Sequence, residues 1–131
     1  MTQPVQILGS YWTLAVGADP LGEQRCFHDF RVRVQTAAKA GFTAMGFWHA
    51  DIAEVRKKYS FQQMKRILDD NGITQVEVEW LLDWFCTGQR RVVSDQTREL
   101  LLDAVGQVLK GYAQACHPAV SAKTSGRAGS R

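Results

Sequence analysis

The residues of this chain best suited to chemistry stand at the ends of its apolar runs. The run at residues 40–51, "AGFTAMGFWHAD", closes with a ring, an imidazole and a carboxylate, from Trp48, His49 and Asp51. Two other β-rich runs also end in aromatic and polar residues, namely Ser10, Tyr11 and Trp12 after the first and Glu79, Trp80, Asp83 and Trp84 after the third. Ligands of parallel βα proteins bind where the carboxyl ends of the strands meet. We therefore expect these side chains to line one rim.

A rim of this composition suits a polyhydroxylated ligand. Aromatic faces pack against the C–H surface of a sugar, and carboxylates accept hydrogen bonds from its hydroxyls. The same groups also suit a metal-assisted site. Structural roles stay open as well, because Trp48 and Trp84 can be core or interface residues, Asp51 can cap a following helix, and His49 can be an ordinary loop histidine. For Glu79 we favour a functional role, since a carboxylate inside a parallel strand lowers the stability of the fold unless it has a partner.

Three short strands are predicted to position these groups. The middle run is apolar on both faces, which is typical of a strand buried in a parallel sheet. The three runs cover residues 5–12, 42–48 and 73–82, with paired strands near 5–9, 43–48 and 74–80. Because helical patterns separate the strands, the order is β-α-β-α-β-α. This order predicts an α/β fold with a parallel sheet.

The first helix is predicted at residues 27–40. Its apolar residues recur at spacings of three and four, which places Phe27, Phe30, Val34 and Ala37 on one stripe. Gly41 follows in the position of a left-handed cap.

The second and third helices are predicted from their caps. Ser60 and Gln63 form a capping-box pattern, and the turn "DNG" at residues 70–72 ends the second helix. Ser94 is predicted to cap the third helix, which ends near Leu109. The buried side of that helix is expected to hold Thr97, Leu101, Val105 and Val108.

The charge of the chain divides it into two parts. All 13 acidic residues precede position 110, and residues 1–109 carry 12 basic side chains, a net charge of −1. Residues 110–131 contain only basic charges and lack an aliphatic β-run, so they are predicted to be an irregular or disordered basic tail. Four basic residues spread over this tail are too sparse for a nucleic-acid-binding arm. We therefore expect no nucleic-acid partner.

Cysteine usage and hydropathy indicate a cytoplasmic protein. Cys26, Cys86 and Cys116 are odd in number and far apart, which favours neither a disulfide framework nor a zinc site. The first ten residues lack the pattern of a signal peptide, and no run reaches the ~18 apolar residues of a membrane span. We expect no membrane association.

Three segments carry a family resemblance: "AGFTAMGFWHADI", "ILDDNGITQVEVEWLLDWF" and "SDQTRELLLDAV". With them, residues 1–109 resemble the N-terminal half of a sugar phosphate isomerase/epimerase of the xylose isomerase-like TIM-barrel family. The resemblance implies a partial, truncated TIM barrel of three βα units. It also implies that five residues match positions lining the substrate pocket, namely Trp12, Trp48, His49, Glu79 and Trp84.

The activity implied by the resemblance is proton transfer between adjacent carbons of a ketose-type sugar or sugar phosphate. In that family a divalent metal, Mn²⁺ or Mg²⁺, is held by residues of later strands and polarises a carbonyl or enediolate. This chain lacks those strands, so we expect no metal site in it, assign no catalytic residues, and expect the chain to be inactive alone. We also expect residues after about 109 to depart from the fold, with the missing strands encoded in another reading frame.

Two alternatives remain at this stage. A hydrolase of abasic DNA has the same fold, but it calls for a basic rim and residues 1–109 are slightly acidic. The second is a non-catalytic half-barrel binding or assembly module, whose open sheet edges allow self-association.

Overall fold

The computed structural model describes residues 5–79 and 81–108, without the side chains of Val105 and Val108. Trp80, Leu109 and the predicted tail at 110–131 lie outside the described residues. Within them the chain forms three strands and five helices. In order these are β1 (Leu8–Gly9), α1 (Tyr11–Leu14), α2 (Phe30–Lys39), β2 (Ala44–Phe47), α3 (His49–Val55), α4 (Phe61–Asp70), β3 (Gln75–Val78) and α5 (Gln89–Val108).

The three strands form one parallel sheet in the order β1-β2-β3. The predicted α/β class and the parallel pairing are therefore confirmed. In register, Leu8 of β1 is opposite Ala44, and Phe47 is opposite Val78 of β3. The buried second strand is also confirmed, since all four residues of β2 are buried.

One face of the sheet carries the main hydrophobic core. Met45, Phe47 and Val76 lie in it together with residues of α2, α4 and α5, including Phe30, Val34, Ala37, Phe61, Met64, Ile67, Leu68, Leu101 and Ala104. Because strand side chains alternate, Ala44, Gly46 and Glu77 lie on the opposite face. Helices α2, α4 and α5, one after each strand, thus cover the same side of the sheet.

Three predicted helix boundaries are confirmed by their local geometry. Ser60 accepts a hydrogen bond from the Gln63 backbone N–H, and the Gln63 side chain accepts one from the Ser60 backbone N–H, completing the capping box. Gly41 and Gly72 have φ of +94° and +71°, the left-handed conformation that glycine adopts readily after a helix.

The first strand and first long helix differ from the prediction. The paired part of β1 has only two residues, and Tyr11 and Trp12 belong to a short helix instead of the strand end. Helix α2 starts at Phe30 because Asp29 accepts a hydrogen bond from the Arg31 backbone N–H as N-cap. Phe27 therefore precedes the helix and is 72% exposed, so its predicted place on the buried stripe is wrong.

The predicted cap of the last helix is also wrong. Helix α5 begins at Gln89, and the Gly88 carbonyl accepts hydrogen bonds from the backbone of Arg91 and Val92. Ser94 lies inside the helix and is buried. Within the described ranges no helix is both long enough and apolar enough to cross a bilayer.

Candidate functional site

Aromatic rings gather at the carboxyl ends of β1 and β2. The Trp12 and Trp48 ring centroids are 5.5 Å apart, and the Trp48 and His49 centroids are 4.3 Å apart. Tyr11 meets Trp12 edge-on at 5.0 Å. Trp12 and His49 are partly exposed, whereas Trp48 is buried and its indole N–H donates to Gln24 Oε1 at 3.0 Å. Trp48 is thus the buried ring against which the partly exposed rings of Trp12 and His49 pack.

Glu79 joins this cluster from β3, across the middle strand. Its Oε1 accepts a hydrogen bond from the Tyr11 backbone N–H at 2.5 Å. Burial raises the pKa of Glu79 above its usual value and the charge of Glu77 adds to the rise, outweighing the hydrogen bonds from Tyr11 and from the Trp12 side chain. The rim therefore holds a carboxyl group that retains its proton to a higher pH than an exposed glutamate.

Gly46 makes the approach of Glu79 possible. A Cβ atom at this position would lie 2.6 Å from Glu79 Oε1 and 2.8 Å from the Tyr11 backbone nitrogen. Only glycine leaves that space on β2. Gly46 therefore allows the Glu79 side chain, which follows β3, to reach the first residue of α1.

A buried ion pair lies beside the rings. Arg33 Nη1 donates to Asp51 Oδ2 at 2.9 Å, with both side chains almost fully buried, and Asp51 Oδ1 accepts from the Cys26 backbone N–H at 3.2 Å. Asp51 sits in the first turn of α3 with Trp48 as N-cap residue, so the alternative of Asp51 as the helix cap is wrong. Burial, reinforced by the Asp51 charge, raises the pKa of Tyr11.

His49 presents a neutral imidazole. Burial lowers its pKa below the usual value, because the cationic form loses hydration beside the Trp48 ring. A neutral imidazole offers one donor and one acceptor nitrogen to a hydroxylated ligand.

The structure groups four of the five predicted site residues and leaves one apart. Trp12, Trp48, His49 and Glu79 form the cluster above. Among the described residues, the ring partner of Trp84 is Phe85, and both are exposed in the segment after β3. Whether any of the five contacts a substrate stays a prediction.

Two residues beside the rim, Arg33 and Gln24, were missed by sequence reasoning. Arg33 falls on the same stripe of α2 as Phe30, Val34 and Ala37, and a charged residue on a buried stripe signals a buried partner. That signal was available. Gln24 gave none, because its contacts depend on the path of a loop.

The described residues do not supply a metal centre. Across residues 5–79 and 81–108, no three His, Cys, Asp or Glu side chains are grouped so that they could hold an ion. The described residues thus hold no ligand set for the divalent metal that the family resemblance implies.

Comparison with known proteins adds no assignment. No protein-family model matches the chain, and no curated protein matches it.

Proposed function

We propose that residues 5–108 are the first three βα units of a xylose isomerase-like TIM barrel, and that their rim is one side of the sugar pocket of an isomerase or epimerase. The observation that carries the proposal is the cluster of Trp12, Trp48 and His49 rings beside the Glu79 carboxyl group at the carboxyl ends of parallel strands. The substrate is a sugar or sugar phosphate of the ketose type.

The arrangement of the layers supports this fold. A doubly wound sheet carries helices on both faces, whereas a barrel keeps all its helices outside. Here strands follow one another in sequence order, and the core joins α2, α4 and α5 to a single face. The other face, with Gly46 and Glu77, corresponds to a barrel interior.

The chemistry of the rim supports a hydroxylated ligand. Trp12 offers a partly exposed ring face, and the neutral His49 offers a donor and an acceptor. Glu79, with its raised pKa, is suited to hold a proton, or to share one with a sugar oxygen, at a pH where an exposed glutamate is already ionised. We propose that Glu79 orients the sugar and does not itself transfer the proton between the sugar carbons.

Titration calorimetry with D-fructose, D-xylose and D-fructose 6-phosphate tests the proposal. We expect saturable binding of at least one sugar, weakened about tenfold or more (~1.4 kcal/mol) by Trp12→Ala and by Glu79→Gln. Leu102→Ala, on the exposed side of α5, serves as the matched control and should leave binding unchanged. Trp84→Ala measures whether the fifth predicted residue takes part. The proposal fails if no sugar binds, or if Trp12→Ala and Leu102→Ala bind equally well.

A further inference from the structure

The segment between α1 and α2 forms a closed loop, residues 16–27, which we call the strap. Its base is closed by the Phe27 backbone N–H, which donates to the Val16 carbonyl at 3.3 Å. Within it, the Asp19 backbone N–H donates to the Glu23 carbonyl at 2.8 Å. Gly17 next to the base has φ of +83°. A loop of this size with paired ends is an Ω-loop, a compact surface loop that often carries function.

The strap has few apolar anchors. Leu21 is 98% exposed, Phe27 72% and Val16 60%. Only Ala18 and Cys26 pack against the small cluster that contains Tyr11 and Trp48. Segments with so little buried apolar surface open at a low free-energy cost compared with the core.

Polar contacts at Gln24 hold the strap on the rim instead. The Tyr11 hydroxyl donates to the Gln24 backbone carbonyl at 2.6 Å, and the Trp48 indole N–H donates to the Gln24 side-chain oxygen at 3.0 Å. Cys26 adds its backbone N–H to the Asp51 carboxylate. Gln24 thus occupies two side-chain donors at the ends of β1 and β2, the Tyr11 hydroxyl and the Trp48 indole N–H.

We propose that the strap is a lid latched by Gln24, and that the oxygens of Gln24 stand where two acceptor oxygens of a neutral sugar bind when the strap opens. The two donors are uncharged, and the buried Asp51–Arg33 pair beside them carries no net charge. No unpaired cation among the described residues is thus shown beside the donors to balance a phosphate. The donor pair therefore selects hydroxyl or carbonyl oxygens over a phosphate. The ligand part of this inference rests on the proposed function, whereas the latch does not.

Alkylation of Cys26 reports opening of the strap. In a chain carrying Cys86→Ser and Cys116→Ser, Cys26 is the remaining thiol, and iodoacetamide labelling gives its rate. Gln24→Ala removes the hydrogen bond to Trp48, so we expect labelling about fivefold faster than in the parent. Gln62→Ala, at an exposed position of α4, is the control and should keep the parent rate. D-Fructose should speed labelling of the parent, and D-fructose 6-phosphate should do so less.

Each result decides a separate claim. Equal labelling rates in the parent and Gln24→Ala overturn the latch. If calorimetry shows D-fructose binding with equal affinity to both, the competition with Gln24 is wrong while the proposed function stands. Tighter binding to Gln24→Ala supports the competition. If D-fructose binds neither protein, the proposed function falls with the ligand part, and faster labelling of Gln24→Ala still establishes the latch.

Discussion

Several side chains at the rim have buried polar groups, which would lower the stability of the fold if they had no hydrogen-bond or charge partner. Asp51 and Arg33 satisfy each other, and Glu79 finds the Tyr11 backbone N–H. The sequence predicted Trp48, His49 and Glu79 at strand ends because strand periodicity fixes where a strand finishes. It left a core role for Trp48 open and could not decide it, because Gln24, which bonds the buried Trp48 indole, lies in a loop whose path no periodicity reports.

Breaking the buried ion pair should be strongly destabilising. Asp51→Asn leaves the Arg33 charge buried without a counter-charge, and we expect the free energy of unfolding to fall by about 3–5 kcal/mol. The control Asp95→Asn breaks a pair with Arg91 whose side chains are half exposed, with an expected cost of about 0.5 kcal/mol or less. Urea denaturation measures both. Similar losses for the two variants would contradict the account.

The contribution of Glu79 to the free energy of unfolding should depend on pH, because its side chain gains and loses a proton. Because the folded-state pKa is raised, this stability is fully present below the unfolded pKa and is lost as the pH rises through the folded pKa. Glu79→Gln does not titrate, so its stability relative to the parent should increase as the pH rises above about 4, the usual glutamate pKa, and should level off above the folded-state pKa of Glu79. Urea denaturation of the two proteins at a series of pH values on both sides of the usual glutamate pKa provides the measurement. A constant difference would show that the Glu79 pKa is not raised.

The space at Gly46 should be intolerant of a methyl group. Gly46→Ala would push against the backbone of Ser10 and Tyr11 as well as the Glu79 carboxylate, and we expect a loss of about 1–3 kcal/mol. Gly106→Ala meets no atom within 4 Å in α5, so it should be stabilising by about 0.5–1 kcal/mol. Thermal melts of the pair decide this. Gly46→Ala as stable as the parent would mean that β3 and α1 do not approach as described.

Helix boundaries were predictable where they depend only on residues that are adjacent in the sequence. The capping box at Ser60 and the glycines after α2 and α4 depend on neighbouring residues only, and they were found. The start of α5 was not, because the helix begins directly after Gly88, where Arg90 and Arg91 bind Asp83 and the Trp84 carbonyl. Tertiary contacts of this kind leave no periodic signal.

Ser60, an observed N-cap, and Ser94, a predicted N-cap that lies inside α5, should respond differently to substitution by alanine. Ser60→Ala removes an N-cap hydrogen bond and should cost about 1 kcal/mol. Ser94 is buried within α5, and its hydroxyl has no hydrogen-bond partner among the described residues. Ser94→Ala should therefore be neutral or stabilising, since it removes an unsatisfied polar group. Chemical denaturation of both variants is the measurement, and an equal loss would restore Ser94 as a cap.

The molecule as a whole presents a parallel sheet with α2, α4 and α5 on one face and a rim of aromatic rings at the carboxyl ends of its strands. The sequence predicted the parallel pairing, because βα units of this length connect neighbouring strands. The predicted half barrel also implies that helices cover only one face of the sheet. The role of Gly46 on the other face, where it admits Glu79 and the start of α1, was not predicted, because such an approach leaves no periodic pattern.

The central claim is that the rim binds a sugar, and two-dimensional ¹H–¹⁵N NMR of the protein titrated with D-fructose and D-xylose tests it most directly. We predict saturable shifts at the Tyr11 backbone amide, which bonds Glu79, and at the Trp12 indole. The amides of Gly41 and Gly72, which precede β2 and β3 at the opposite edge of the sheet, should not move. Absence of saturable shifts at Tyr11 and Trp12, or equal shifts at both edges, would contradict the claim.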